Sequence, residues 1–184
     1  MDQEVNVDRT PLVLESVKIW FARIPRTDST VLVHTVLGER AARQHACADR
    51  RCPLTHGGRC DSLSHATGLT ALAVSDAVVG VDLERVLAAR ALPDLSWALT
   101  DAEREEVPAD ARRLTEVWTA KEAAGKANGT GLAGAPAAIG TAAVPDRPDW
   151  RSAELADGRM ALTCGRWMGA HHVRVAWFPS VGGA

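Results

Sequence analysis

The period of the hydrophobic positions changes several times along the chain, and each change marks an element. Val17 to Ile24 (VKIWFARI) is rich in β-branched and aromatic residues and reads as a strand that Pro25 stops. Thr30 to about Ala48 lacks proline, carries its apolar residues early and then turns polar and Ala-rich, which reads as a helix. Arg50 to Asp61, with Pro53, Gly57 and Gly58, reads as a polar loop. Leu69 to Ser75 (LTALAVS) and Val78 to Leu83 (VVGVDL) flank Asp76-Ala77, and that spacing predicts a hairpin. In the second run side chains alternate: Val79, Val81 and Leu83 share one face, and Gly80, Asp82 and Glu84 the other.

Thr100-Asp101-Ala102-Glu103 is a capping box that opens a short acidic helix. Pro108-Ala109-Asp110 ends it and starts another, full of strong helix formers to about Asn128, with Asn128-Gly129 as its C-terminal cap. On that helix Trp118, Glu122 and Lys126 lie four apart on one face. Gly125 makes that face approachable at some cost in helix stability. Gly131 to Pro148 is Ala/Gly/Pro-rich and reads as an irregular loop. Trp150 to Leu155, Met160 to Thr163 and Val173 to Phe178 read as strands, with Asp157-Gly158 as a turn.

Composition narrows this. The 184 residues suffice for one large domain or two small lobes, and 46% hydrophobic with 24% charged residues suits a soluble globular protein. A net charge of −2 gives no whole-molecule attraction for nucleic acid, so any polyanion site must be a local basic cluster. No uninterrupted apolar run reaches roughly 18 residues, the length of a membrane span. Met1-Asp2-Gln3-Glu4 lacks a signal-peptide core. The expectation is a cytoplasmic protein with reduced cysteines and neither a nucleic-acid nor a membrane partner. Cys47, Cys52, His56 and Cys60 carry zinc-type ligands, but without a tight Cys-x2-Cys pair they read as thiols in a loop-rich stretch.

Two blocks carry chemistry, Gly80-Val81-Asp82-Leu83-Glu84 and Trp118-Thr119-Ala120-Lys121-Glu122-Ala123-Ala124-Gly125-Lys126. Two like charges on one strand face repel, and a metal would remove that repulsion. Alone, Glu122 and Lys126 read as a solvated helix pair worth about 0.2–0.5 kcal/mol. Set beside the acidic strand, they complete three carboxylates and two lysines. Oxygen ligands suit Mg²⁺, and lysines beside such a metal suit a phosphate-bearing substrate. The chemistry that follows is metal-assisted phosphoryl-type transfer. Ser62-Leu63-Ser64-His65-Ala66 lacks a nucleophile elbow, which disfavours a hydrolase triad; a phosphate contact by His65 fits better. Gly129-Thr130-Gly131 lacks the Gly-Lys-Ser/Thr ending of a Walker loop. His34, His171 and His172 have no partner pattern.

The order Ser-Leu-Ser-His-Ala, Gly-Val-Asp-Leu-Glu, Trp-Thr-Ala-Lys-Glu-Ala-Ala-Gly-Lys resembles the Sfp-type 4′-phosphopantetheinyl transferases. The upstream Ser-His block separates them from the short, trimeric AcpS-type. The resemblance runs from about Arg50 to Leu132. It implies transfer of 4′-phosphopantetheine from coenzyme A to a serine of an acyl, polyketide or peptidyl carrier protein, with release of adenosine 3′,5′-bisphosphate. It also implies an α+β fold of two similar lobes in one monomeric chain, with the active site at their interface. Residues 1–76 would form the N-terminal lobe, on the side of the coenzyme A 3′-phosphate. Residues 77–184 would form the C-terminal lobe, with the metal and pyrophosphate.

Residue by residue, the resemblance implies Asp82, Glu84 and Glu122 as Mg²⁺ ligands and Lys121 and Lys126 around the pyrophosphate. Ser64 and His65 fall on the coenzyme A side, with His65 at the 3′-phosphate. Arg59 falls in a displaced form of the family's basic turn that lacks its proline. For the basic residue near the first long helix, Arg26 and Arg43 are the candidates. Glu122, directly or through water, is the candidate base for the serine proton, and Lys126 the alternative. The rival readings are a non-catalytic module that holds coenzyme A or a carrier protein, and a zinc-knuckle nucleic-acid binder resting on the Cys/His run.

Overall fold

The computed structural model describes residues 10–23, 29–37, 54–56, 59–88, 91–108, 110–132 and 135–179. Strands β1 (Leu12–Leu14), β2 (Val17–Ala22), β3 (Leu54–His56), β4 (Arg59–Ala66) and β5 (Leu69–Ser75) form one antiparallel sheet in the order β1-β2-β5-β4-β3. Strands β6 (Val79–Arg85), β7 (Gly140–Val144), β8 (Arg147–Glu154), β9 (Met160–Met168) and β10 (His171–Trp177) form a second, in the order β6-β10-β9-β8-β7. The helices are α1 (Ser29–Leu37), α2 (Leu92–Leu95), α3 (Asp101–Glu106) and α4 (Ala111–Ala127). The class is α+β.

Alternation along the strands stacks these elements in layers. Val79, Val81 and Leu83 of β6, with Val173, Val175 and Cys164, share one core with Ile19, Phe21, Ala71 and Ala73 of the first sheet. The outer face of that first sheet, through Leu72 and Val74, buries Leu32 and Val33 of α1. The outer face of the second sheet carries α4, whose Ala123, Ala124 and Ala127 pack with Ala153, Ala161 and Ala176.

Three expectations need correction. The runs around Asp76-Ala77 are strands but not a hairpin. β5 is already paired on both sides, by β2 and β4, so β6 crosses to the other sheet and pairs with β10. The stretch read as a polar loop before Asp61 holds the β3–β4 pairing. The stretch from Gly131 to Pro148 contains β7 and the start of β8. The capping box stands: Thr100 Oγ1 accepts from Glu103 N, and a Glu103 carboxylate oxygen accepts from Thr100 N at 2.7 Å. Asp110 caps α4 by accepting from Arg112 N and Arg113 N. Gly129, at φ 77°, supplies the left-handed residue after that helix.

Candidate active site

β6 and α4 meet because Gly80 has no side chain. A Cβ there would lie 2.0 Å from the Ala123 carbonyl oxygen and 2.4 Å from Ala127 N, so only glycine admits the helix. Two residues on from Gly80, on the same strand face, stands Asp82, 3% exposed. One turn past Ala123, Lys126 reaches it: Lys126 Nζ donates to Asp82 Oδ1 at 2.7 Å, to Ser64 Oγ at 3.1 Å and to the Val81 carbonyl at 3.1 Å. Ser64 Oγ in turn donates to Asp82 Oδ1 at 2.9 Å and accepts from Leu83 N at 3.1 Å. The other carboxylate oxygen, Asp82 Oδ2, is buried and accepts no hydrogen bond.

Glu84 and Glu122 stand close enough to feel this pair. Burial, then the charges of Asp82 and Glu122, push the Glu84 carboxyl up to about 7, against the opposing pull of Lys126 and of a hydrogen bond from Trp118. Burial and the Asp82 charge push Glu122 up as well, again opposed by Lys126. Three carboxylates therefore crowd around one ammonium. Among the described residues no group of three or more His, Cys, Asp and Glu side chains is drawn together tightly enough to hold a metal as it stands. Lys126 and Ser64 both bond Asp82 Oδ1, which leaves Oδ2 as the oxygen such a cluster would use. The donors nonetheless fit a hard divalent cation: all are carboxylate oxygens, one is buried and unpartnered, and the surplus negative charge is under-compensated.

The other sequence-predicted residues distribute as follows. Ser64 joins the Asp82–Lys126 pair but has no bonding capacity left for a ligand, with one hydrogen donated and two lone pairs engaged. His65, the next residue on β4, falls on the opposite strand face, with Leu63 and across from Thr70. Arg59 opens β4, and its side chain lies outside what is described, as do Arg26, Arg43, Cys47 and Cys52. The zinc reading of the Cys/His run thus falls largely outside the described residues.

Lys121, expected beside the phosphates, is engaged in a buried ion pair. It is fully buried and bridges to Glu103 at 2.7 Å, with further bonds to the carbonyls of Pro136, at 3.2 Å, and Ile139. Adjacent helix residues point about 100° apart, so Lys121 turns away from the face of Glu122. Glu103 also accepts from Thr141 N and Oγ1, both at 2.8 Å. Although burial pushes Glu103 up, the hydrogen bonds from Lys121, Thr100 and Thr141 hold it below the usual carboxylate range. A signal was present in the chain: Lys121 continues the apolar spacing Leu114, Val117, which marks the core face.

The sequence reading also passed over a polar layer between α4 and the second sheet. Thr119 Oγ1 meets His172 Nδ1 at 2.8 Å, and Trp167 Nε1 donates to Glu116 at 2.9 Å. Burial, then the neighbouring Arg174, lowers His172 to about 2, so it stays neutral. Arg151 grips Glu106 through two 2.6 Å bonds. The Thr119 and Glu116 bonds join α4, which carries Glu122 and Lys126, to the sheet, and the Arg151 bonds join α3 to it.

Residues 78–168 match the family model of the 4′-phosphopantetheinyl transferase superfamily. That segment spans β6 through β9 and contains Asp82, Glu84, Glu122 and Lys126. No curated protein matches the chain.

Proposed function

We propose that this chain transfers 4′-phosphopantetheine from coenzyme A to a serine of a carrier protein, as an Sfp-type enzyme that uses Mg²⁺. The observation that carries the proposal is the contact of Lys126 with Asp82, which joins the two chemistry-bearing blocks into one buried cluster within the segment matching the superfamily. The two sheets, divided between residues 1–76 and 77–184, would be the two lobes. The His65 side of β4 would meet the coenzyme A 3′-phosphate, with Arg59 a second contact to it. Coenzyme A as donor would set the reaction in the cytoplasm, and one chain carrying both lobes would act as a monomer.

Asp82, Glu84 and Glu122 would hold Mg²⁺, which supplies charge neutralisation and orientation at the pyrophosphate when bound. The carrier serine oxygen forms a bond to the pantetheine-side phosphorus as the bond to the adenosine bisphosphate oxygen breaks. Lys126, whose three donors go to Asp82, Ser64 and Val81, would exchange one of these bonds for a phosphoryl oxygen where charge develops. Glu122 takes the serine proton; a carboxyl raised by burial is better matched to that task than one at its ordinary value. Lys126, which bonds Asp82 at 2.7 Å, is the alternative proton-handling group.

The test is incubation of the purified protein with apo carrier proteins of the fatty-acid, polyketide and peptide types, coenzyme A and Mg²⁺, reading the carrier's mass. A gain of one phosphopantetheinyl group that EDTA abolishes is expected. Coenzyme A binding without mass gain on any carrier would instead make the chain a non-catalytic binding module.

A further inference from the structure

Ser62 and Ser64 perform the same structural task one strand repeat apart. Ser62 Oγ accepts from Val81 N at 3.0 Å, and Ser64 Oγ accepts from Leu83 N at 3.1 Å. Through them β4 satisfies the outward N–H groups of β6, the edge strand of the second sheet. Both are buried, at 7% and 5% exposed. They differ in one respect. Val81 faces the core between the sheets and Ser62 makes no other side-chain bond among the described residues, whereas Ser64 also donates to Asp82 Oδ1 and accepts from Lys126 Nζ.

From this we infer that Ser64 is a positioning residue for the carboxylate of Asp82. A carboxylate on a strand rotates about two bonds, and its two oxygens are equivalent until something distinguishes them. Ser64 and Lys126 both bond Oδ1, which fixes the rotamer and turns Oδ2 to the buried side where it has no partner. Ser64 thereby presents one defined oxygen to a divalent cation and keeps the lysine beside it for a phosphate. Its hydroxyl, fully used, does not touch the ligand. This inference rests on the metal reading proposed above and concerns Ser64, which the family resemblance had set on the coenzyme A side.

Ser62 provides the internal control. Ser62→Ala and Ser64→Ala each remove one hydroxyl from one β6 N–H, so both should lower the melting temperature by a similar few degrees. Only Ser64→Ala should release Asp82. The measurement is Mn²⁺ binding to the intact protein followed by electron paramagnetic resonance, together with coenzyme A binding by calorimetry in EDTA. Ser64→Ala is expected to weaken Mn²⁺ about tenfold or more, equivalent to about 1.4 kcal/mol, with metal-independent coenzyme A affinity within twofold of the parent. Ser62→Ala should leave both unchanged, and Ser64→Thr, which keeps the hydroxyl, should recover most of the Mn²⁺ affinity.

Equal Mn²⁺ affinity in Ser62→Ala and Ser64→Ala would overturn the inference. So would a Ser64→Ala protein that keeps Mn²⁺ but loses coenzyme A in EDTA, since that behaviour belongs to a ligand contact. If Ser64→Ala does not fold, Ser64→Cys, of similar size but a weak donor, is read against the same outcomes. Parent protein that binds no Mn²⁺ at all would overturn the metal reading itself, which separates the two failures.

Discussion

Asp82 is a buried acid with two unlike oxygens, and its chemistry should be separable from its contribution to the fold. Asp82→Asn keeps the shape and a hydrogen-bonding oxygen for Lys126 but removes the charge. Turnover of an apo carrier should fall at least about a hundredfold, the scale of losing one preorganised electrostatic partner. The melting temperature should shift by only a few degrees, because Lys126 is partly solvated and can rehydrate. A folded Asp82→Asn enzyme with near-parent kcat at saturating Mg²⁺ would remove Asp82 from the site. Lys121 should behave in the opposite way. Lys121→Met leaves Glu103 charged and buried without its cation, a loss of about 3–5 kcal/mol. Adding Glu103→Gln removes the stranded charge, and its single oxygen can keep the bond from Thr100 N but not also the one from Thr141 N, so it should recover part of that loss, with the non-additivity measuring the coupling of the pair. The folded protein should bind coenzyme A as the parent does. A stable Lys121→Met protein with weakened coenzyme A binding would put Lys121 back at the phosphates. The two lysines illustrate how far one residue can be read from the chain. Spacing alone puts Lys126 with Glu122, and that face carries the site. Lys121 is a charge in an apolar stripe, and its partner Glu103 is already explained as a helix cap; what makes the pair visible is the folding of α3 against α4.

At the scale of elements, the site exists because α4 lies against β6, and Gly80 decides that distance. Gly80→Ala would set its methyl against backbone atoms of Ala123 and Ala127, which cannot swing aside as a side chain could. Overpacking of this kind costs about 3 kcal/mol or more when backbone must move. Chemical denaturation should register that loss. Any folded Gly80→Ala protein should also lose turnover beyond its loss of folded fraction, since a displaced α4 carries Glu122 and Lys126 away from Asp82. Ordinary stability with unchanged kcat/KM would mean that the helix and strand do not need this contact. The alternation that places Asp82 and Glu84 opposite Val81 and Leu83 was legible in the chain, as was the C-terminal cap of α4. The partner of β6 was not. Two apolar runs joined by two residues satisfy the local rule for a hairpin, yet the competition of β2 and β4 for β5 is a long-range fact. The missed β7 has a similar cause: a small, partly exposed strand, GTAAV, is held by its ladder to β8 and by the bonds of Thr141 to Glu103 more than by its own pattern.

At the scale of the whole molecule, a central apolar core between two sheets is flanked on the α4 side by a buried polar layer, and that asymmetry sets how stability responds to acid. His172 lies inside the layer, tilted against Trp167 with ring centroids 4.8 Å apart and bonded to Thr119. Its folded value of about 2 lies far below the 6.5 of an unfolded histidine. Below 6.5 the unfolded chain binds a proton that the native state refuses, so the native state loses stability as pH falls. For one such histidine the loss between pH 7.5 and pH 5 is about 2 kcal/mol. Glu103 and Glu106 are both held below their ordinary values, Glu106 chiefly by its bonds to Arg151, so they add their losses only below about 4.5. The window between pH 6.5 and pH 5 lies above Glu103 and Glu106, but Glu84, raised to about 7, and Glu122, also raised, add native stability there as pH falls and oppose the histidine. Urea unfolding of the parent across that window reads the sum of these opposed contributions, and the histidine is obtained by difference. The same series on His172→Gln, whatever its absolute stability, should lack about 1.6 kcal/mol of acid-side loss relative to the parent. Parallel slopes for the two proteins would show that His172 is protonated in the native state. The Thr119 contact would then not be the neutral bond that seats α4, and the site's dependence on that helix would need another anchor.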